Sequence, residues 1–145
     1  MSFPYLKEIP PKMEKYCIKS GDLILSKNGY PFKVAVAEVP EGRKILASGN
    51  LFVIQLDTDK VNPYYIKAYL TSNEGIAALK SIVVGATIPN IGVAQLNTLP
   101  IPLIEKEKQD DIAAQYLAKI DEINLLKRKI EKAENALKDI FSFAK

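Results

Sequence analysis

With 145 residues, 48% of them hydrophobic, the chain is long enough for one ordinary domain with a real core, and its composition excludes a wholly disordered protein. It contains no histidine and one cysteine, Cys17, which excludes Cys/His zinc sites, histidine-dependent catalytic triads and an internal disulfide. The net charge of +3 comes from residues 1–103, with 11 basic against 8 acidic residues, because residues 104–145 carry 9 of each. That excess is a weak indication of an anionic partner.

Membrane and secretory signals are missing from the sequence. Its apolar runs are much shorter than the roughly 20 residues that cross a bilayer, and "MSFPYLKEIPPK" lacks the charged-then-apolar order of a signal peptide. We therefore expect a cytoplasmic protein with no membrane partner.

The first part of the chain has the pattern of short strands joined by tight turns. "YCIKSGDLILSKNG" predicts an extended segment and then a strand at Leu23–Ser26, between turns at residues 20–22 and 28–29. "PFKVAVAEV" alternates at period two and predicts a second strand. "ILASGNLFVIQLD" predicts one or two more, with the apolar run 51–56 central in the sheet. Three or four strands in succession indicate a small antiparallel or barrel-like β module.

Two short helices and a proline-rich segment follow. Asn62 and Pro63 are a helix N-cap and first-turn proline, and a break at residues 72–73 precedes a second helix at about 74–83. "VGATIPNIGVAQL" is rich in turn formers and predicts a loop. In "LPIPL", prolines alternate with apolar residues at 99–103, which allows only an extended or edge-strand path.

A single long helix is predicted from Glu105 to the C-terminus, because no glycine or proline occurs after Pro102. About 40 residues at 1.5 Å each give a helix of roughly 60 Å, longer than one small domain can cover. From Ile112 its apolar residues recur in steps of 4, 4, 3, 3, 4, 3, 4 and 3, a coiled-coil pattern with one phase slip near Leu126. This apolar seam predicts a dimer interface made by Tyr116, Ile120, Ile123, Leu126, Ile130, Ala133, Leu137 and Ile140.

These elements predict an α+β fold in two parts. Residues 1–103 form a β module with two short helices, and residues 104–145 form a coiled-coil spacer and dimerisation helix. The change from a proline-stiffened segment to a long helix marks the boundary.

The motif "NPYY" at residues 62–65 is one residue away from the Asn-Pro-Pro-Tyr/Phe motif by which amino-methyltransferases hold a flipped base. The second proline is missing, and neither a glycine-rich cofactor turn nor alternating βα units accompany it. We interpret the motif as a helix start.

Two pairs of carboxylates are weak candidates for catalysis. Asp57 and Asp59 have the context of a strand-end turn, and Asp110 and Asp111 that of acids in the first turn of a helix, where the helix dipole favours them. We predict no catalytic residue, no metal site and no cofactor.

Turns that combine cationic, amide and aromatic side chains are candidates for DNA contact. Lysine and arginine bind phosphates or guanine edges, and asparagine can pair with adenine, although polar residues also populate turns in general. The candidates are Lys27, Asn28, Tyr30, Lys33, Arg43, Lys44, Lys80, Thr87 and Asn90.

The order of these segments resembles the specificity subunits of type I restriction-modification enzymes. The resemblance runs from about Tyr16 to the C-terminus, through "GDLILSKNG", "SGNLFVIQLD", "NPYYIKAYLTSNEG" and "GATIPNIGVAQLNTLPIPLIEKEKQDDIA". It implies a non-catalytic target recognition domain followed by a spacer helix, and as partners double-stranded DNA and the methyltransferase and restriction subunits.

The chain departs from the family pattern in two ways. It has one recognition half where full subunits usually have two, and only 20 residues precede the "GD" motif, where a longer segment is usual. It is therefore expected to act as a half-subunit that dimerises, unless it is a fragment of a longer gene product. The alternative is a coiled-coil scaffold whose β module binds protein, and a third, minor one is a methyltransferase that uses Asn62 and Tyr65.

Overall fold

The computed structural model describes residues 11–85 and 87–142, and they adopt the predicted α+β fold. A small three-stranded sheet precedes three short helices and one long helix. In chain order the elements are a 3-10 helix at Pro11–Tyr16, β1 at Leu23–Ser26, β2 at Val34–Val36, β3 at Leu51–Ile54, α1 at Pro63–Leu70, α2 at Asn73–Ser81, α3 at Val93–Leu96 and α4 at Lys106–Lys138.

The sheet is antiparallel with the order β2-β1-β3, so the first strand is central. Leu23 lies opposite Val36 on one side and Ile54 on the other, and Leu25 lies opposite Val34 and Phe52. Leu23 and Leu25 are 1% and 0% exposed, whereas Ile24 between them is only half-buried. The period-two pattern therefore turns one face of the sheet toward the core.

The core joins that face of the sheet to the short helices. Leu23, Leu25 and Phe52 pack in one cluster with buried residues of α1, of α2 and of the following loop, namely Tyr65, Ile66, Leu70, Leu79 and Ile91. The apolar residues of α1 recur at i, i+1 and i+5, as expected for a helix that buries one side. The core thus fixes α1 and the 82–92 segment relative to the sheet.

Side-chain caps start α1 and α2, as the sequence predicts for the first. The Asn62 amide oxygen accepts from the Tyr64 N–H at 3.0 Å, with Pro63 at the first helical position. The Ser72 hydroxyl accepts from the Gly75 N–H at 3.1 Å. Gly75 is buried where α2 meets the end of α1, and a Cβ there would lie 1.9 Å from the Tyr69 carbonyl oxygen. Only glycine allows this approach of the two helices.

The proline-rich segment runs beside α1 without forming a strand. Tyr65 donates its hydroxyl hydrogen to the Pro102 carbonyl, and Tyr69 donates to the Pro100 carbonyl at 3.4 Å. Leu99 and Ile101 pack against the core, but Leu103 is 71% exposed and Ile104 packs inward in its place. Leu103 therefore breaks the alternation three residues before α4 begins at Lys106.

A buried glutamine joins α4 to the rest of the fold. Gln109 is 1% exposed, and its amide oxygen accepts from the Asn62 backbone N–H at 2.9 Å. Its amide nitrogen donates to the Ile104 carbonyl at 2.8 Å and to the Lys60 carbonyl at 3.3 Å. Beside it, the Asn62 side chain donates to Asp110 at 2.9 Å. The start of α4 is thus hydrogen-bonded to the start of α1.

Only the first turns of α4 pack against the module. Ala113 is buried, Tyr116 and Ile120 are half-buried, and every residue of 121–138 is exposed. The helix has 33 residues, or about 50 Å at 1.5 Å each, so the outer part at 121–138 extends about 27 Å beyond the packed part. In the part of the chain that the structure describes, no helix is long and apolar enough to cross a membrane.

Several predicted bounds differ from the observed ones. The second strand is confined to Val34–Val36, and the predicted loop contains both β-bridges and the four-residue helix α3. Helix α4 ends at Lys138 with Asp139 as its C-cap, so Ile140 lies in the turn that follows and not on the helix. Residues 143–145, which the long helix was predicted to include, lie outside the described residues.

We expect Gly75→Ala to destabilise the fold despite the higher helix propensity of alanine. The new Cβ meets backbone and not a flexible side chain, so α2 must move; overpacking of this kind costs about 1–3 kcal/mol. Gly49→Ala is the control, because a Cβ at Gly49 has nothing within 4 Å. Urea unfolding that gave equal midpoints for the two variants would contradict the packing described for α2.

We expect Gln109→Leu to lower the free energy of unfolding by about 1–3 kcal/mol, because the Asn62 N–H and the two carbonyls lose a buried partner. Gln115→Leu, at an exposed position of the same helix, should change it by less than about 0.5 kcal/mol. Chemical denaturation followed by circular dichroism measures both. Equal losses would show that the hydrogen bonds of Gln109 are dispensable.

Candidate nucleic-acid interface

Two loops that are distant in sequence meet at the end of β1. Residues 27–33 follow β1, and residues 84–91 follow α2; together we call them the loop pair. The Gly29 N–H donates to the Pro89 carbonyl at 2.9 Å, and the Ile91 N–H donates to the Lys27 carbonyl at 2.9 Å. Asn28 and Asn90 form an isolated antiparallel β-bridge between these contacts, and both residues are exposed.

The backbone of each loop is closed on itself as well. Ser26 and Lys33 close the first, since the Ser26 N–H donates to the Lys33 carbonyl at 3.0 Å and the Lys33 N–H donates to the Ser26 hydroxyl at 2.8 Å. Val84 and Asn90 exchange N–H to carbonyl hydrogen bonds of 2.8 and 3.1 Å in the second. The two loops are therefore joined to each other and closed by backbone hydrogen bonds, and Asn28, Lys33, Thr87 and Asn90 are exposed on them.

Aromatic rings hold two lysines of this surface. The Lys80 ammonium lies 4.6 Å from the centroid of the Tyr30 ring, and Tyr30 meets Phe32 edge to face at 6.3 Å. The Lys27 ammonium lies 4.8 Å from the centroid of the Phe52 ring, at the edge of the core. Cation–π contacts position these charges without neutralising them.

Seven of the nine predicted DNA-contact residues belong to or adjoin the loop pair, and the sequences of 27–33 and 84–91 contain no acidic residue. Three of these seven are lysines, and neither loop contributes a carboxylate. The seven are Lys27, Asn28, Tyr30, Lys33, Lys80, Thr87 and Asn90.

The other two predicted residues, Arg43 and Lys44, lie at the opposite end of the sheet. The segment that carries them follows the end of β2 at Val36, which is opposite Leu23 at the start of β1. Lys44 forms an ion pair with Glu14 of the 3-10 helix, and this hydrogen bond raises the pKa of Lys44. Its charge is thus already partnered within the chain, and the structure does not bring these two residues to the loop pair.

The Asn62 and Tyr65 side chains of "NPYY" make contacts within the fold. The Asn62 amide caps α1 with its oxygen and donates to Asp110 with its nitrogen. This bond and the Lys106 ammonium lower the pKa of Asp110. Tyr65 is 5% exposed, and burial raises the pKa of its phenol. Capping and packing use the same groups that base recognition by this motif would need.

The paired carboxylates have local partners too. The Asp57 side chain accepts from the Asp59 backbone N–H at 3.2 Å in a turn, and Asp110 accepts from Lys106 at 2.9 Å along α4. Among residues 11–85 and 87–142, no group of three or more His, Cys, Asp or Glu side chains is placed to hold a metal ion.

The predicted apolar seam is divided between two environments. The Lys67 ammonium of α1 lies 5.8 Å from the centroid of the Tyr116 ring, so Tyr116 contacts its own module. In the outer part of α4, Ile123, Leu126, Ile130 and Leu137 are 44%, 50%, 58% and 68% exposed. No described residue of the chain covers these apolar side chains.

Sequence reasoning overlooked Ile88, which is 66% exposed in the second loop between Thr87 and Pro89. An apolar residue within a turn-forming segment was the available signal. It also overlooked Gln109, whose charged neighbours gave no indication that its side chain is buried.

Comparison with known proteins identifies the family of the chain. A family model described as the type I restriction modification DNA specificity domain matches residues 4–135. No curated protein matches the chain. The family match spans the sheet, the loop pair and nearly all of α4, far more than half of the sequence. The chain therefore belongs to the family of type I restriction-modification DNA specificity domains, a family of DNA-recognition modules.

Proposed function

We propose that this chain is a half-subunit that recognises a DNA target through the loop pair and dimerises through α4. The observation that supports the proposal is the meeting of the two loops, which together with the adjoining Lys80 carry three lysines, two exposed asparagines and an exposed tyrosine. Lysines supply sequence-independent attraction to phosphates, and asparagine amides can read base edges.

In this proposal the two parts of the chain have separate roles. Residues 1–103 would read DNA, and residues 104–145 would set the distance to a second module. The exposed outer part of α4 supports the second role, because an apolar stripe of this length is expected to be covered by another helix.

In this proposal the chain acts in the cytoplasm and contributes specificity but no chemistry. Methylation and cleavage would come from methyltransferase and restriction subunits recruited to it. The use of Asn62 and Tyr65 in capping and packing supports a non-catalytic role for "NPYY".

We expect the double variant Lys27→Gln, Lys33→Gln to weaken binding to duplexes of any sequence. Glutamine keeps most of the side-chain stem, so the change removes charge more than packing. If both lysines contact phosphates, the negative slope of log K against log salt should decrease in magnitude by roughly 1.8, at 0.9 per contact. Fluorescence anisotropy at several salt concentrations measures it.

The matched control is Arg128→Gln, Lys132→Gln, which removes two charges from exposed positions of α4 outside the predicted seam. It should leave the slope close to that of the wild type. Equal slopes for the wild type and the loop variant would remove the loop pair from the interface. Salt-independent curves for every protein would instead favour a scaffold that binds protein.

We expect the wild-type chain to sediment as a dimer at tens of micromolar, and Ile123→Asp, Ile130→Asp to sediment as a monomer. Each unpaired charge buried in a helix pair costs about 3 kcal/mol or more, which raises Kd by at least about 100-fold. Leu125→Asp is the control, because Leu125 is similarly exposed at 49% but lies outside the predicted seam. A monomeric wild type would end the proposal of dimerisation.

A further inference from the structure

The exposed apolar side chain of Ile88 adjoins the two asparagines of the loop pair. Ile88 is two residues before Asn90, and its neighbour Pro89 accepts the hydrogen bond from Gly29, which follows Asn28. A single exposed isoleucine needs no explanation by itself. Ile88 is informative because it lies close to lysine and asparagine residues that can bind DNA.

The described backbone near Ile88 is held by hydrogen bonds, at Pro89 to Gly29 and at Asn90 to Val84. The bridge between Val84 and Asn90 closes the loop, and Gly85 has a φ of +96°, which favours glycine. A Cβ at Gly85 would lie 2.9 Å from the Ile88 carbonyl oxygen, so the loop is also tightly folded. A side chain on such a loop contacts a ligand with little loss of conformational entropy.

The combination of groups matches one base pair in particular. In the major groove an asparagine amide pairs with N7 and N6 of adenine, and the thymine of an A·T pair presents its C5-methyl group in the same groove. An exposed apolar side chain beside asparagine amides is therefore complementary to A·T. Lys27, Lys33 and Lys80 supply the charge that attracts the flanking phosphates.

We infer that Ile88 contacts the C5-methyl group of a thymine in the DNA target and selects for that base. This inference rests on the proposed function, since it assigns one base contact to the same surface. The C5-methyl group of 5-methylcytosine is chemically the same, but its pair with guanine lacks the adenine edge that asparagine recognises.

The test starts from a duplex selected out of a random pool by the wild-type chain. Each thymine of the selected site is replaced in turn by uracil, which pairs identically and lacks only the methyl group. At one position we expect wild-type affinity to fall about fourfold, the effect of removing one buried methyl group. Ile88→Ala should bind the thymine duplex at least fourfold more weakly than the wild type does. Replacement of that thymine by uracil should then cause no further loss of affinity in the variant.

Leu103→Ala is the matched control, since Leu103 is 71% exposed in the proline-rich segment. It should bind the thymine duplex as the wild type does and lose the same fourfold with uracil. Thermal unfolding of both variants checks that they are folded, and the uracil duplexes test the wild type without any substitution.

The outcomes separate this inference from the proposed function. Salt-dependent binding of the wild type with no loss at any uracil, or a selected site without thymine, overturns the contact of Ile88 and leaves DNA recognition in place. The contact is also overturned if Ile88→Ala and uracil each lower the affinity and their effects multiply when the two changes are combined. Equal affinity for a 5-methylcytosine·guanine pair at that position refutes the choice of thymine. A wild type that binds no duplex overturns both proposals.

Discussion

The arrangement of this chain depends on one buried amide, that of Gln109. Its three hydrogen bonds join the loop before α1, the end of the proline-rich segment and the first turns of α4. A buried glutamine is tolerated only where its donors and acceptors are satisfied, and each partner here is a backbone group that a short loop or a segment end leaves free. The direction in which α4 leaves the module is therefore set by hydrogen-bond geometry, in addition to the packing of Ala113.

That constraint connects the two proposed roles. A spacer helix sets a distance between modules only if its angle to each module is fixed, because a flexible joint would leave the distance undefined. The Tyr65 and Tyr69 hydroxyls add to this fixation by holding the Pro100 and Pro102 carbonyls against α1. The shared core then connects α1 and β1, and Ile91 of the loop pair belongs to the same cluster.

Local chemistry made part of this structure predictable. The turn signals at residues 20–22 and 28–29 place β1 at its observed bounds, and the Asn62–Pro63 cap places the start of α1, because both signals act within a few residues. The meeting of residues 27–33 with 84–91 was not predictable, since their backbone bonds join segments more than fifty residues apart. Turn chemistry alone predicts residues of the loop pair together with Arg43 and Lys44, although the latter two lie at the other end of the sheet. Gln109 was hidden for a related reason: in a charged helix start, only the tertiary contacts show which polar side chain is buried.

The phase slip in the apolar pattern of α4 has a geometric explanation in this fold. The side of α4 toward the module is marked by Gln109, Ala113, Tyr116 and Ile120, in steps of 4, 3 and 4. The outer stripe begins at Ile123 and continues in steps of 3, 4, 3 and 4 to Leu137.

At about 100° per residue, the two successive steps of 3 between residues 120 and 126 rotate the outer stripe by roughly a quarter turn from the module-facing side. A second helix could then pack on the outer stripe without competing with α1 for the same face of α4. In the proposed dimer, the slip marks the point where α4 changes from contacts with its own module to contacts with a second helix. Tyr116 and Ile120 would then belong chiefly to the module, and the residues from Ile123 onward to the proposed helix pair.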